Sequence, residues 1–158
     1  MKLTLAQIND EYNRRIKPIT EPEGGDEWQT PARTIMRLEG DCEDYAIAKL
    51  YTMIWAGYPA FDINIHCVRL KGEFHGQAKG TLINHAFVCY KGWVLDNYNP
   101  HIVQLGNRLD IKETYAIINA ELPNKYAQWN KMLSERDPEL DTKLIENFFY
   151  QTLQANLA

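Results

Sequence analysis

The fold is decided by the stretch GDCEDYAIAKLYTMIW, residues 40–55. Its glycine ends a preceding helix, and Asp41 is a good N-cap with Asp44 at the N3 position of a capping box. After the acidic first turn the only charged residue is Lys49. A helix that is apolar on nearly all sides is usually buried, so the stretch predicts a central helix that begins at Cys42.

Cys42 would occupy the first helical position, where free backbone N–H groups and the helix dipole favour a thiolate. The Cys42 N–H is also placed to stabilise an oxyanion. A buried cysteine that packs as a small apolar side chain is equally consistent with the motif alone. The stretch therefore leaves both interpretations open.

The rest of the chain predicts an α+β fold in one domain, residues 1–158, because 45% hydrophobic residues suit a single core. We expect a helix over 3–16, a loop over 17–29 and a short helix to about Leu38. Three strands follow, then helical sequence after Asp110 and a closing helix. The predicted strands are 62–70, 82–90 and 93–98, with a candidate fourth strand near His101–Gln104, and the closing helix is Pro138–Leu157.

A histidine and an aspartate are predicted to meet across a hairpin. Tyr90-Lys91-Gly92-Trp93 is typical of a hairpin with a two-residue turn, in which Tyr90 pairs with Trp93. In such a hairpin the numbers of any two directly paired residues add up to the same value. His85 and Asp96 then share a face as diagonal neighbours, close enough for their side chains to touch. A slip of one residue would separate them, and a strand histidine often only packs. Together with Cys42, however, they favour a Cys-His-Asp catalytic triad.

Three carboxylates next to Cys42 oppose this interpretation, since the like charge of Asp41, Glu43 and Asp44 would raise the pKa of the thiol. They either cap the helix and pair with nearby cations, or bind a hard cation such as Ca²⁺. The spacing is not that of an EF-hand loop, so both alternatives stay open. No C-x-x-C unit is present, and Cys67 and Cys89 are expected to pack in the sheet.

Composition limits the kinds of partner that the protein is expected to bind and the cellular compartment in which it is expected to work. The net charge of −4, with no basic stripe, argues against nucleic acid, and no apolar run is long enough to span a membrane. Three cysteines cannot all pair, so we expect a reduced protein. The N-terminus is not a signal peptide. We expect a cytoplasmic protein, or a periplasmic one if an export signal was removed; the oligomeric state is not predicted.

The motifs resemble those of the bacterial transglutaminase-like cysteine proteinases, whose periplasmic members cut large surface adhesins. The likeness covers about residues 8–119, leaves 120–158 as a helical extension, and does not extend to the adhesin substrate. It rests on Asp26-Glu27-Trp28-Gln29-Thr30-Pro31, on residues 40–49, on Asn84-His85-Ala86-Phe87-Val88 and on Val94-Leu95-Asp96-Asn97.

The resemblance implies a papain-like α+β fold, a triad of Cys42, His85 and Asp96, and a protein or peptide substrate. It also implies Ca²⁺ bound through the acidic residues Asp41, Glu43 and Asp44. Similarity to wider transglutaminase-like folds suggests Trp28 or Gln29 as a second oxyanion donor, although Trp28 is equally consistent with a core position.

We therefore expect a cysteine protease that hydrolyses a peptide bond through an acyl-enzyme. Two alternatives remain at this stage. One is acyl transfer or amidase action, on a cell-wall peptide for example, with the same residues. The other is a catalytically silent, calcium-stabilised binding module.

Overall fold

A computed structural model describes residues 3–20 and 27–158. Asp26 of the first motif and the middle of the predicted loop 17–29 lie outside the described residues. The helices are α1 (Leu5–Arg15), α2 (Pro31–Arg37), α3 (Cys42–Trp55), α4 (Ala127–Glu135), α5 (Pro138–Phe148) and α6 (Tyr150–Leu157). The strands are β1 (Lys17–Pro18), β2 (Glu39–Gly40), β3 (Ile63–Lys71), β4 (Leu82–Tyr90), β5 (Trp93–Asp96), β6 (Asn99–Gln104) and β7 (Ile111–Asn119).

The predicted central helix is confirmed, and it begins at Cys42. Asp41 caps α3, and the Asp44 carboxylate accepts a hydrogen bond from the Asp41 backbone N–H, so both bonds of the capping box are made. Most side chains of α3 are buried, including the cation Lys49. The helix packs against α1 on one side and against β4 on the other. Burial on two sides explains why its sequence lacks a polar face.

The main sheet is fully antiparallel, with the strand order β6-β5-β4-β3-β7. Alternate residues of β4 divide between its faces. Ala86 and Val88 belong to the core beneath α3, whereas Phe87 and Cys89 belong to a second apolar cluster with Val94 and two residues of β3. An α+β fold is therefore confirmed, and the three predicted strands and the fourth short one are all present.

The prediction of helix after Asp110 is wrong, because Ile111–Asn119 forms β7. This segment pairs antiparallel with β3 at the edge of the sheet. Its β-branched and aromatic residues suit a strand, and its long exposed run explains why its sequence lacks a clean apolar alternation. Pairing with the buried β3 thus determines the structure of the segment.

The C-terminal helical prediction is confirmed with one break. The helix expected over Pro138–Leu157 divides at Phe149 into α5 and α6, and Phe149 turns its ring into the core. Within residues 3–20 and 27–158, no helix has the length and apolar character needed to cross a membrane.

A buried lysine connects α3 to α1 and to the end of β5. Lys49 Nζ donates to Asn9 Oδ1 at 2.8 Å and to Asn13 Oδ1 at 2.7 Å. Asn13 Nδ2 in turn donates to the Asp96 carbonyl at 2.9 Å, and Asn9 holds the Asn99 carbonyl. Burial lowers the pKa of Lys49 to about 7, although the negative charge of Asp96 acts to raise that pKa. The ammonium thus orders two amides that hold the β5–β6 turn.

Lys49 should make stability depend on pH above neutrality. The unfolded lysine keeps its proton up to about pH 10, while the folded one releases it near pH 7. Lys49 should therefore contribute a rise on the order of 3–5 kcal/mol to the free energy of unfolding between pH 7 and pH 10. The buried thiols Cys42 and Cys89, whose pKa values are raised, contribute with the opposite sign above about pH 8.5, so the variants are compared with the wild type at each pH. Urea denaturation should show that Lys49→Met loses this rise, whereas Lys143→Met, on the exposed face of α5, keeps it. An equal rise in both variants would refute the assignment.

Candidate active site

Cys42 is the first residue of α3, and its side chain is partly exposed. Its backbone N–H donates to Asp41 Oδ1 at 2.7 Å, and its thiol contacts Glu43 Oε2 at 3.2 Å. Cys67 and Cys89, by contrast, are buried in the sheet as predicted. Of the three cysteines, only Cys42 stands at a helix start with a route to solvent.

The predicted hairpin register is confirmed. Lys91 and Gly92 both have positive φ angles, 47° and 84°, as a type I′ turn requires. Tyr90 pairs with Trp93, and the ladder continues to Val88 opposite Leu95. It ends there because β5 stops at Asp96 and turns into β6, so the strand is shorter than the predicted 93–98.

His85 and Asp96 meet as that register requires. His85 Nε2 lies 2.7 Å from Asp96 Oδ1, and both side chains are almost completely buried. Among the described residues, the other ring nitrogen, Nδ1, is buried and has no hydrogen-bond partner. The ring of Tyr98 stacks on the imidazole with centroids 3.9 Å apart. The carboxylate therefore orients the ring and leaves one nitrogen available to exchange a proton.

Asp96 is ionised and held from several directions. Burial raises its pKa, but the hydrogen bond and charge of His85, the Tyr98 N–H and the charge of Arg108 together lower that pKa to about 2. The Tyr98 N–H donates to Oδ1 at 2.9 Å, and Arg108 Nη1 donates to Oδ2 at 2.6 Å. Such a carboxylate remains an anion at neutral pH and can accept a hydrogen bond from the His85 ring.

The thiol approaches the sheet at the point where the hairpin opens. The Ala86 backbone, directly after His85, hydrogen-bonds the Cys42 sulfur. Ala86 lies beyond the last β4–β5 pair, although β4 still pairs with β3 there. Cys42 therefore meets β4 one residue from His85, on the edge of the strand that β5 no longer covers.

The acidic surroundings of Cys42 have the effect expected from the sequence. Burial raises the pKa of the Cys42 thiol well above its ordinary value, and the charges of Glu43 and Asp41 raise it further. The Ala86 N–H opposes this shift only partly. With these charges uncompensated, the thiol keeps its proton at neutral pH.

Two of the three predicted metal ligands lie together. Oxygens of Asp41 and Glu43 and the sulfur of Cys42 all lie within 4.8 Å of one another. Carboxylate oxygens are the ligands that Ca²⁺ prefers, so this donor set fits a calcium ion. Asp44 is engaged elsewhere: its two oxygens accept bonds from Gln29 and from the Asp41 backbone. The role of Asp44 as a ligand remains a prediction.

The suggested oxyanion donors are held in other contacts. The Gln29 side-chain amide donates to Asp44 Oδ2 and to the Glu39 carbonyl, both at 3.1 Å. Since an amide has two hydrogens, those bonds occupy both. Trp28 is buried and stacks on Tyr126 with ring centroids 5.0 Å apart, a core position. The structure therefore favours neither side chain as an oxyanion donor, and a role for either stays a prediction.

Sequence reasoning missed three residues that contact the site. Arg108 pairs with Asp96, Tyr98 stacks on His85, and Asn13 holds the Asp96 backbone. The constant sum of paired residue numbers in the hairpin sets Tyr98 opposite His85, so the sequence does carry a signal for this contact. Arg108 and Asn13 come from a loop and from α1, and no local pattern connects either residue to Asp96.

Comparisons with known proteins identify the family and the fold of the chain. The family model described as bacterial transglutaminase-like cysteine proteinase matches residues 1–137, a wider span than 8–119. The chain is similar in structure to LapG of Legionella pneumophila, with a TM-score of 0.66 and 23% identity over 83% of this chain and 76% of that one. No curated protein matches it in sequence.

Two further LapG structures from the same organism are also similar. One is described as EGTA-treated, with a TM-score of 0.66 and 22% identity over 83% of this chain and 76% of that one. The other is described as calcium-bound, with a TM-score of 0.65 and 20% identity over 84% and 78%. At these identities the likeness establishes the transglutaminase-like, papain-like fold. With the family match over most of its length, the chain belongs to the bacterial transglutaminase-like cysteine proteinases and is a cysteine peptidase of that type.

Proposed function

We propose that the protein hydrolyses a peptide bond with Cys42 as nucleophile, His85 as general base and acid, and Asp96 as the residue that orients His85. The observation that carries this proposal is the buried contact of 2.7 Å between His85 Nε2 and Asp96 Oδ1, which leaves Nδ1 without a partner among the described residues. The position of the Cys42 thiol at the Ala86 backbone supports it.

The reaction follows from these positions. His85 Nδ1 takes the proton of the Cys42 thiol, and the sulfur attacks the substrate carbonyl carbon. The tetrahedral intermediate collapses as Nδ1–H protonates the leaving amine, which leaves a thioester on Cys42. His85 then takes a proton from water, and the hydroxide attacks the thioester carbonyl. The second tetrahedral intermediate breaks its C–S bond and releases the carboxylic acid, while Nδ1–H returns its proton to the sulfur and regenerates the thiol. Asp96 stabilises the imidazolium at each transfer.

Asp41 and Glu43 would hold a calcium ion beside the nucleophile, with Asp44 as a further candidate ligand. When bound, the ion supplies positive charge that offsets the carboxylates now raising the pKa of the thiol. Asp41 also accepts the Cys42 N–H, the group expected to hold an oxyanion. An Asp41 carboxylate directed to a cation would free that N–H for the substrate oxygen.

Proteolysis can be tested with a proteome-derived peptide mixture in H₂¹⁸O containing calcium. We expect ¹⁸O in new C-terminal carboxylates with the wild type, and at least ~10³-fold less cleavage with Cys42→Ser or His85→Gln. His66→Gln is the matched control, because His66 is also buried and its ring, like that of His85, lies next to Phe87. Equal cleavage by His85→Gln and His66→Gln would contradict the assignment.

Adding methylamine to the same reaction separates hydrolysis from acyl transfer. Both reactions share the thioester on Cys42, and only the acceptor differs. We expect the carboxylate products to dominate. Methylamide products that grow with amine concentration at the expense of carboxylates would identify the protein as a transferase instead.

Calcium binding has an independent test in thermal unfolding. An ion bound only by the folded state raises the melting temperature, so EGTA should lower it and calcium should restore it. Asp41→Asn and Glu43→Gln should each weaken this response, whereas Asp10→Asn, at an exposed site on α1, should keep it. An unchanged melting temperature, with no bound calcium detected by elemental mass analysis, would show that the protein does not bind calcium.

A further inference from the structure

Asp96 has a second partner on the side away from His85. Arg108 Nη1 donates to Asp96 Oδ2 at 2.6 Å, while Oδ1 binds His85. The Arg108 side chain is only 9% exposed, and that of Asp96 is 1% exposed. A charge-assisted bond between groups so far from water is strong and directional. The two oxygens of Asp96 are therefore fixed at once, one by the histidine and one by the arginine.

Arg108 is itself held in place. Its Nε and Nη2 donate to the two oxygens of Asp110, at 2.9 and 3.0 Å. His75 Nε2 approaches Asp110 Oδ2 to 2.8 Å, and the Arg108 guanidinium lies 5.0 Å from the centre of the Phe87 ring. The bidentate contact with Asp110 sets the plane of the guanidinium, so Nη1 has one direction left, toward Asp96.

We propose that Arg108 is a positioning residue for the hydrolytic site, which sets the rotation of the Asp96 carboxylate so that Oδ1 stays on His85 Nε2. This inference rests on the proposed function of Cys42, His85 and Asp96. A carboxylate held by His85 and one backbone N–H can still turn about its Cβ–Cγ bond. The contact of Arg108 with Oδ2 prevents that turn.

Charge gives Arg108 a second effect at the same atom. Without the guanidinium, Oδ2 of Asp96 would be a buried anionic oxygen with no cation next to it. The carboxylate would then rotate toward water or another hydrogen-bond donor. Such a turn would weaken the bond to His85 and free the ring to reorient. Arg108 thus acts through Asp96 and His85 and contacts no reacting atom.

Replacement of Arg108 tests the inference. With a peptide that the wild type cleaves, we expect Arg108→Met to lower kcat by about 10- to 100-fold while KM changes less than about threefold. Arg108→Lys should recover part of the loss, because an ammonium can pair with Asp96 but cannot also hold Asp110 in a fork. Arg69→Met is the matched control, since Arg69 pairs with Glu113 at 2.6 Å in an exposed part of the sheet.

A spectroscopic measurement keeps the inference independent of turnover. In ¹⁵N-labelled protein, the His85 Nε2–H signal should be detectable in the wild type and in Arg69→Met, because the bond to Asp96 slows its exchange with water. The signal should weaken in Arg108→Met. If that variant does not fold, Asp110→Asn serves instead, because it leaves both partners of Asp96 in place and weakens the fork that holds Arg108, together with the His75 contact of Asp110. Its expected loss of kcat is smaller, about 3- to 10-fold.

The outcomes separate this inference from the proposed function. If His85→Gln abolishes cleavage but Arg108→Met and Asp110→Asn retain wild-type kcat and the Nε2–H signal, Arg108 has no positioning role. If His85→Gln leaves cleavage intact, the proposed function itself is wrong. An equal loss in Arg108→Met and Arg69→Met would indicate a general effect on stability and would also overturn the inference.

Discussion

The two-residue turn at Lys91 and Gly92 is the constraint on which the site depends. Positive φ angles at both positions set the register of β4 against β5, and that register carries Asp96 to His85. A slip of one residue would send Asp96 to the opposite face of the sheet. The histidine–carboxylate contact is thus a property of the whole hairpin, and the β4–β5 ladder ends before Ala86, whose backbone contacts the Cys42 sulfur.

Charged neighbours stabilise the anion of Asp96 but disfavour the anion of Cys42. Asp96 is compensated on both sides, by His85 and by Arg108, and its pKa lies near 2. At Cys42 the surroundings disfavour the anion, because burial and two carboxylates raise the pKa of the thiol. The proposed general base is thus oriented, whereas the proposed nucleophile lies beside two carboxylates. The calcium ion proposed at Asp41 and Glu43 would offset the charge of those carboxylates.

Local sequence rules predicted most of what positions the candidate site. The capping residue Asp41, the turn at Lys91 and Gly92, and the alternation along β4 are short-range signals, and each has a direct physical cause. Segment Ile111–Asn119 was misassigned because its strand form depends on a distant partner, β3. Arg108 was missed for the same reason, as its contact with Asp96 comes from tertiary packing. The engagement of Gln29 with Asp44 likewise has no sequence signature.

The central claim is that Cys42 and His85 act as one nucleophilic unit, and the alkylation rate of Cys42 by iodoacetamide tests it most directly. Exposure alone would favour Cys42 over the buried Cys67 and Cys89, so the proper references are free cysteine and the His85→Gln variant at the same pH, in calcium. We expect Cys42 to react faster than free cysteine and to lose that advantage in His85→Gln. Equal rates in wild type and His85→Gln, with His66→Gln unchanged, would contradict the account.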